Sequence, residues 1–177
     1  MVNHFFKKIE KKHVILVRVV ILPIAIGKMT ANFSTHVFSP QHCGCDRLTS
    51  IDDVRQCLTE YIYWSSYAFR NRQCAGQLYA TLLSFRDDAE SVFIDVREMV
   101  KNMPWDDVKD CVEIIRCYIP DEQKTIREIS AIIGLCAYAA TYWGGEDHPT
   151  SNSLNALFVM LEMLNYVDYN IIFRRMN

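Results

Sequence analysis

Apolar residues recur at helical spacing from about residue 49 to the C-terminus, and one stretch departs from that pattern. From Ile129 to Trp143 the chain carries no charge, and its apolar residues fall on every side of a helical wheel. A helix of that kind has to be surrounded by protein. Residues 126–143 are therefore predicted to form the central buried helix of an all-α domain. Ser130, Gly134, Ala137 and Thr141 recur three or four apart, so one face is small enough for another helix to come close. Gly134 costs a helix about 1 kcal/mol against Ala, which points to a packing reason for it. Gly144-Gly145 is expected to end the helix in the manner of C′ glycines.

Amphipathic segments precede and follow this helix. The first is predicted to start at Thr49 or Ser50, with Asp53 completing a capping box after Ser50. Its core stripe is Ile51, Val54, Leu58, Tyr61, Ile62, Ser65 and Phe69. The opposite face carries Gln56, Glu60, Tyr63 and Tyr67, with Trp64 on the flank. The apolar register predicts further helices over about 72–85, 88–101 and 106–118. Pro104 and Pro120 separate the later ones, and Trp105 is expected to pack the corner after Pro104. A sixth helix is capped by Thr150 or Ser151 and has a wide apolar arc, from Leu154 to Leu164. The seventh, over about 167–176, ends in Arg174-Arg175, which suits a helix C-terminus. Nothing reads as a strand.

The 177 residues are enough for one domain with a sizeable core, and a hydrophobic content of 50% argues against disorder. The net charge of -2 is unevenly spread. Residues 1–28 hold six Lys/Arg against Glu10, a balance of +5, which leaves -7 for residues 29–177. An acidic body is a poor nucleic-acid binder. In residues 1–28 a basic start precedes an apolar run that Arg18 splits and Pro23 breaks. That run is too short for a membrane span, so no membrane partner is expected. Residues 1–28 are expected to be an N-terminal extension outside the fold, and 29–48 an irregular lead-in to a domain over 49–177.

The chemistry-bearing residues are sparse. His36, His42, Cys43 and Cys45 cluster in the lead-in, but the CxC spacing lacks a second pair at finger distance, so no metal is expected. The 7 cysteines are an odd number, and Cys57, Cys74, Cys111 and Cys136 sit at apolar-periodic positions. They read as small hydrophobes in a reducing compartment. A nucleophile pair of Cys136 with His148 has no support from its setting, because Cys136 lies on the all-apolar helix. Asp52-Asp53, Asp87-Asp88, Asp106-Asp107 and Asp121-Glu122 each fall at a predicted helix start, where carboxylates cap free N–H groups. No catalytic or phosphate-binding motif is present, so neither enzyme activity nor a cofactor is expected.

Three segments carry a family resemblance: Glu60 to Trp64, Cys74 to Phe85 with the following Asp87-Asp88, and Ile133 to Ala137 leading to Trp143-Gly144. Through them the chain resembles the poxviral Bcl-2-like immune-modulating proteins, over roughly Ser50 to Asn177. Within that family it resembles a member that binds the β subunit of the inhibitor-of-κB kinase (IKKβ). The resemblance implies a Bcl-2-like bundle of about seven helices around a central hydrophobic helix. It also implies an inhibitor of NF-κB signalling that works in the host cell cytoplasm by occupying the kinase and preventing its activation. The alternative from the same fold is an apoptosis inhibitor that takes a death-motif helix into a groove. Two features depart from cellular Bcl-2 proteins: their Asn-Trp-Gly-Arg signature is absent, since Tyr142-Trp143-Gly144-Gly145 follows the central helix instead of preceding it, and no hydrophobic anchor ends the chain.

Aromatic residues beyond those the core needs suggest an interface. Tyr63, Tyr67 and Trp64 on the first helix, with Phe158 and Val159 on the sixth, are the candidate residues. They are expected to form one patch that makes a symmetric homodimer, with the same patch or its rim contacting the kinase.

Overall fold

The computed structural model describes residues 48–66, 77–122, 124–145 and 149–177, all within one compact unit of the chain. Residues 1–28, the lead-in up to residue 47, Tyr67, Phe69, Cys74 and His148 lie outside the described residues. Among the described residues there are seven helices and no strand. They are α1 (Ile51–Ser65), α2 (Gln77–Val92), α3 (Val96–Asn102), α4 (Val108–Tyr118), α5 (Ile126–Tyr142), α6 (Ser151–Met163) and α7 (Tyr169–Met176).

The uncharged stretch is the central helix. Every residue of α5 from Ile129 to Ala137 is buried, as are Ala139 and Ala140. Around it pack α1, α2, α3, α6 and α7, while α4 joins the bundle through α6. The small face predicted on α5 meets α2. A Cβ placed on Gly134 would lie 2.0 Å from the Phe85 carbonyl oxygen and 2.5 Å from its carbon. The two helix backbones therefore touch at this point, and only glycine leaves the space. Ser130 is buried on the same face and satisfies its hydroxyl by donating to the Ile126 carbonyl at 2.8 Å.

Gly144 serves a different purpose from the one its sequence position suggests. Its φ lies outside the left-handed region, so Gly144 is not a left-handed cap of α5. A Cβ at Gly144 would instead sit 2.3 Å from the Ser66 carbonyl oxygen, at the end of α1. Close approach, rather than backbone freedom, requires the glycine.

The helix ends follow local chemistry. Ser50 caps α1, and Asp53 accepts from the Ser50 and Thr49 backbone N–H groups at 2.8 Å, completing the predicted box. Thr150 caps α6 as expected. On α5 the cap is Thr125, boxed by Glu128. The corner after Pro104 is filled by Trp105, buried with its indole N–H donating to the Val100 carbonyl at 2.8 Å.

Two of the four acidic doublets behave otherwise. Asp87-Asp88 lies inside α2, not at the start of a third helix. The buried residues Leu82, Phe85 and Ala89, followed by Phe93, form one continuous stripe that carries the helix past the doublet. Asp88 pairs with Arg175 of α7 at 2.6 Å, so its role is tertiary. The third helix begins only at Val96, capped by Asp95. Asp121 precedes the α5 cap and pairs with Arg116 at 2.7 Å and Lys124 at 2.6 Å. The core also starts one residue early. Leu48, placed in the lead-in from sequence, is 2% exposed. Its N–H donates to Asn177 Oδ1 at 3.2 Å, and its carbonyl accepts from Asn177 Nδ2 at 3.3 Å.

Gly134→Ala tests the contact between α2 and α5. It removes about 1 kcal/mol of intrinsic helix penalty, yet overpacking of about 1–3 kcal/mol is expected to win. Gly134→Val should be worse, and Ala137→Leu should fall in the same range of about 1–3 kcal/mol. Urea midpoints equal to that of the parent in all three would show that the helices do not touch there.

The Asp53 cap makes a pH prediction. Its hydrogen bonds, first those from the Thr49 hydroxyl and backbone, lower its pKa from 3.8 to about 2. A depressed folded pKa means that the cap's contribution is complete above the unfolded value and is lost as pH falls towards the folded one. The stability gap between the parent and Asp53→Ala should thus be constant above about pH 4 and close between about pH 4 and 2. A gap that persists unchanged at pH 2 would contradict the box.

Candidate protein-interaction surface

The first helix buries Val54, Leu58, Tyr61, Ile62 and Ser65. Tyr63 lies about 200° round the helix from Tyr61 and about 160° from Ser65, hence on the far side from that stripe. It is half-buried, and Trp64 on the flank is half-buried against the core edge. Phe158 on α6 is 45% exposed. The helices α1 and α6 pack against each other, so Tyr63 and Phe158 belong to neighbouring helices.

Val159 is not part of this surface. It is fully buried, along with Ala156, Met160 and Met163 of α6. The wide apolar arc that suggested an interface has a simpler cause. The helix α6 is in contact with α1, α4 and α5 at once, so most of that arc is core. One step along a helix turns the side chain by about 100°, and that step separates exposed Phe158 from buried Val159.

Other large apolar side chains, outside the periodic stripes, stand in solvent. Ile94, in the turn between α2 and α3, is 99% exposed, and Tyr166, after α6, is 79% exposed. Both follow the last buried residues of a helical stripe and precede an aspartate cap, Asp95 or Asp168. A turn position between stripe and cap is the signal that marks them.

The described residues offer little reactive chemistry. Cys111 and Cys136 are buried free thiols. Desolvation, aided by Asp107, Asp106 and Asp110, pushes the Cys111 pKa up to about 12. Burial pushes Cys136 up as well. A thiol held protonated at neutral pH is a poor nucleophile. Cys117 is the exposed thiol among the four free cysteines described. Among the described residues no three His, Cys, Asp or Glu side chains converge as metal ligands, and no helix is long and apolar enough to cross a membrane. The cluster of His36, His42, Cys43 and Cys45 lies outside the described residues.

The arrangement is thus a helical bundle presenting aromatic side chains, and its relatives share it. Residues 23–171 match the family model of poxvirus Bcl-2-like proteins. The chain belongs to the poxvirus Bcl-2-like family. It is 97% identical over 149 residues to Protein OPG200 of variola virus, covering 84% of this chain and 100% of the relative. To Protein OPG200 of vaccinia virus (strain Western Reserve) it is 96% identical over the same length and with the same coverage. The solved structure of vaccinia virus protein B14 superposes with a TM-score of 0.75 at 96% identity, covering 80% of this chain and all of that one. The poxvirus Bcl-2-like fold expected from the three sequence segments is therefore the fold of this protein. Proteins of the Bcl-2-like fold generally act by binding other proteins.

Burial orders the cysteines by reactivity. Iodoacetamide at pH 8 on folded protein should alkylate Cys117 well before Cys111 or Cys136, as read by peptide mass spectrometry. Equal labelling of Cys136 and Cys117 in folded protein would show that α5 opens on the labelling timescale.

Proposed function

We propose that this poxvirus Bcl-2-like protein inhibits host innate immune signalling by binding IKKβ. It holds the kinase in an inactive state in the host cell cytoplasm and so blocks NF-κB activation. The observation that carries the reading is Phe158, a large apolar side chain 45% exposed on a helix that packs beside α1 and its Tyr63. Aromatic side chains at such positions are characteristic of interface cores. The family resemblance carried by Glu60–Trp64 and Ile133–Ala137 is what suggests IKKβ as the partner. The same surface, now Tyr63, Trp64 and Phe158, makes a symmetric homodimer, since a two-fold contact uses one patch on both copies. Tyr67, which the helical register puts on the same face as Tyr63, lies outside the described residues.

An unpaired charge in a buried interface is costly. Tyr63→Glu and Phe158→Lys should each give folded monomers by light scattering, with helical content intact by circular dichroism. Capture of IKKβ from cell extract by the parent, and its loss in at least one variant, is the expected result. Dimers that persist in both variants would remove this surface. Capture of a death-motif peptide in place of the kinase would favour apoptosis inhibition.

A further inference from the structure

Phe85 is the residue that meets Gly134, and Arg86 follows it in the chain. The crossing of α2 over α5 carries the Arg86 guanidinium into the angle between α5 and α1. Its Nε donates to the Tyr61 hydroxyl at 3.2 Å. One terminal nitrogen lies 2.9 Å from Thr141 Oγ1, 3.4 Å from the Ala137 carbonyl and 3.4 Å from Ser65 Oγ. The guanidinium carbon also stands 5.0 Å from the centre of the Tyr138 ring. All four hydrogen-bond acceptors are neutral oxygens. Two of the residues supplying them, Tyr61 and Ser65, are buried residues of α1.

We infer that Arg86 is a positioning residue for the interaction surface: its fork ties the C-terminal half of α1 to α5 and so sets how Tyr63 and Trp64 are presented. This rests on the reading of that surface given above. The sequence spacing makes the case. Tyr61 and Ser65 are one helical turn apart and share the inward face, and between them lie Tyr63 and Trp64. A clamp at 61 and 65 brackets both. Charge-assisted hydrogen bonds are stronger than neutral ones, and buried polar groups left without partners are costly. An ammonium is a point charge and does not reproduce the planar fork. Lysine should therefore hold the helix only in part.

Hydrogen exchange tests the clamp on the full chain. In Arg86→Met, amides of residues 62–66 should exchange about tenfold faster or more, with α6 and α7 unchanged. Arg86→Lys should fall between Met and the parent. Self-association and IKKβ capture should weaken in the same order, at a temperature where all variants keep parental helical content. Should Arg86→Met fail to fold, the milder pair Ser65→Ala and Thr141→Val removes one acceptor each and should raise exchange at the same amides. Parental exchange at 62–66 in these variants would overturn the inference. A rise spread evenly over the chain would also overturn it, because Arg86 would then serve global stability alone. So would faster local exchange with undiminished binding. Tyr63→Glu is the control, expected to abolish association while leaving exchange at 62–66 parental when both proteins are compared at a dilution where the parent is also monomeric. If the parent neither self-associates nor captures the kinase, the surface reading fails, and the exchange arm still decides the role of Arg86.

Discussion

The contact between the Phe85 carbonyl and Gly134 governs much of this bundle. Two helix backbones come so close there that a single Cβ would lie 2.0 Å from a carbonyl oxygen. Helices normally keep axes 8–10 Å apart because side chains intervene. Removing the side chain at one position lets α2 settle onto α5, and that choice propagates. Phe85 becomes fully buried, Ala89 follows one turn later, and Arg86 is swung to the side where α1 lies. Placing α2 elsewhere would undo the Arg86 cluster, and the Asp88–Arg175 pair that fastens α7 would go with it.

A second close approach works at the other end. Gly144 leaves room for the Ser66 carbonyl, so the end of α1 and the exit of α5 lie against each other. With Arg86 holding Tyr61 and Ser65, the C-terminal half of α1 is bound by contacts that owe little to its own helix propensity. Its other side carries Tyr63, which is half-buried. The proposed binding role and the packing of the core are therefore two aspects of one arrangement.

The charged residues divide by whether their partners are local. Asp53, Asp107 and Glu128 act within one turn of their own backbone. Asp88 and Arg86 find partners on other helices. Local electrostatics explains the first group, because a helix N-terminus presents unpaired N–H groups wherever the bundle places it. The second group takes its meaning from distant residues, and the same aspartate doublet can serve either purpose.

What the sequence alone determined was periodicity, charge and caps. The uncharged run identified α5 as central, because a helix without a polar face has no stable place at a surface. Its small residues marked the face of close approach, and Ser50, Asp53 and Thr150 marked helix starts, since those effects act over a few residues. Tertiary structure alone decided which helix met Gly134, where α2 ended, and why Gly144 was needed. It also decided that Val159 is core while Phe158 is exposed, because α6 has three neighbours and the number of neighbours cannot be read from one helix. An apolar side chain has the same character in a core and in an interface, and only the position of the surrounding helices separates the two.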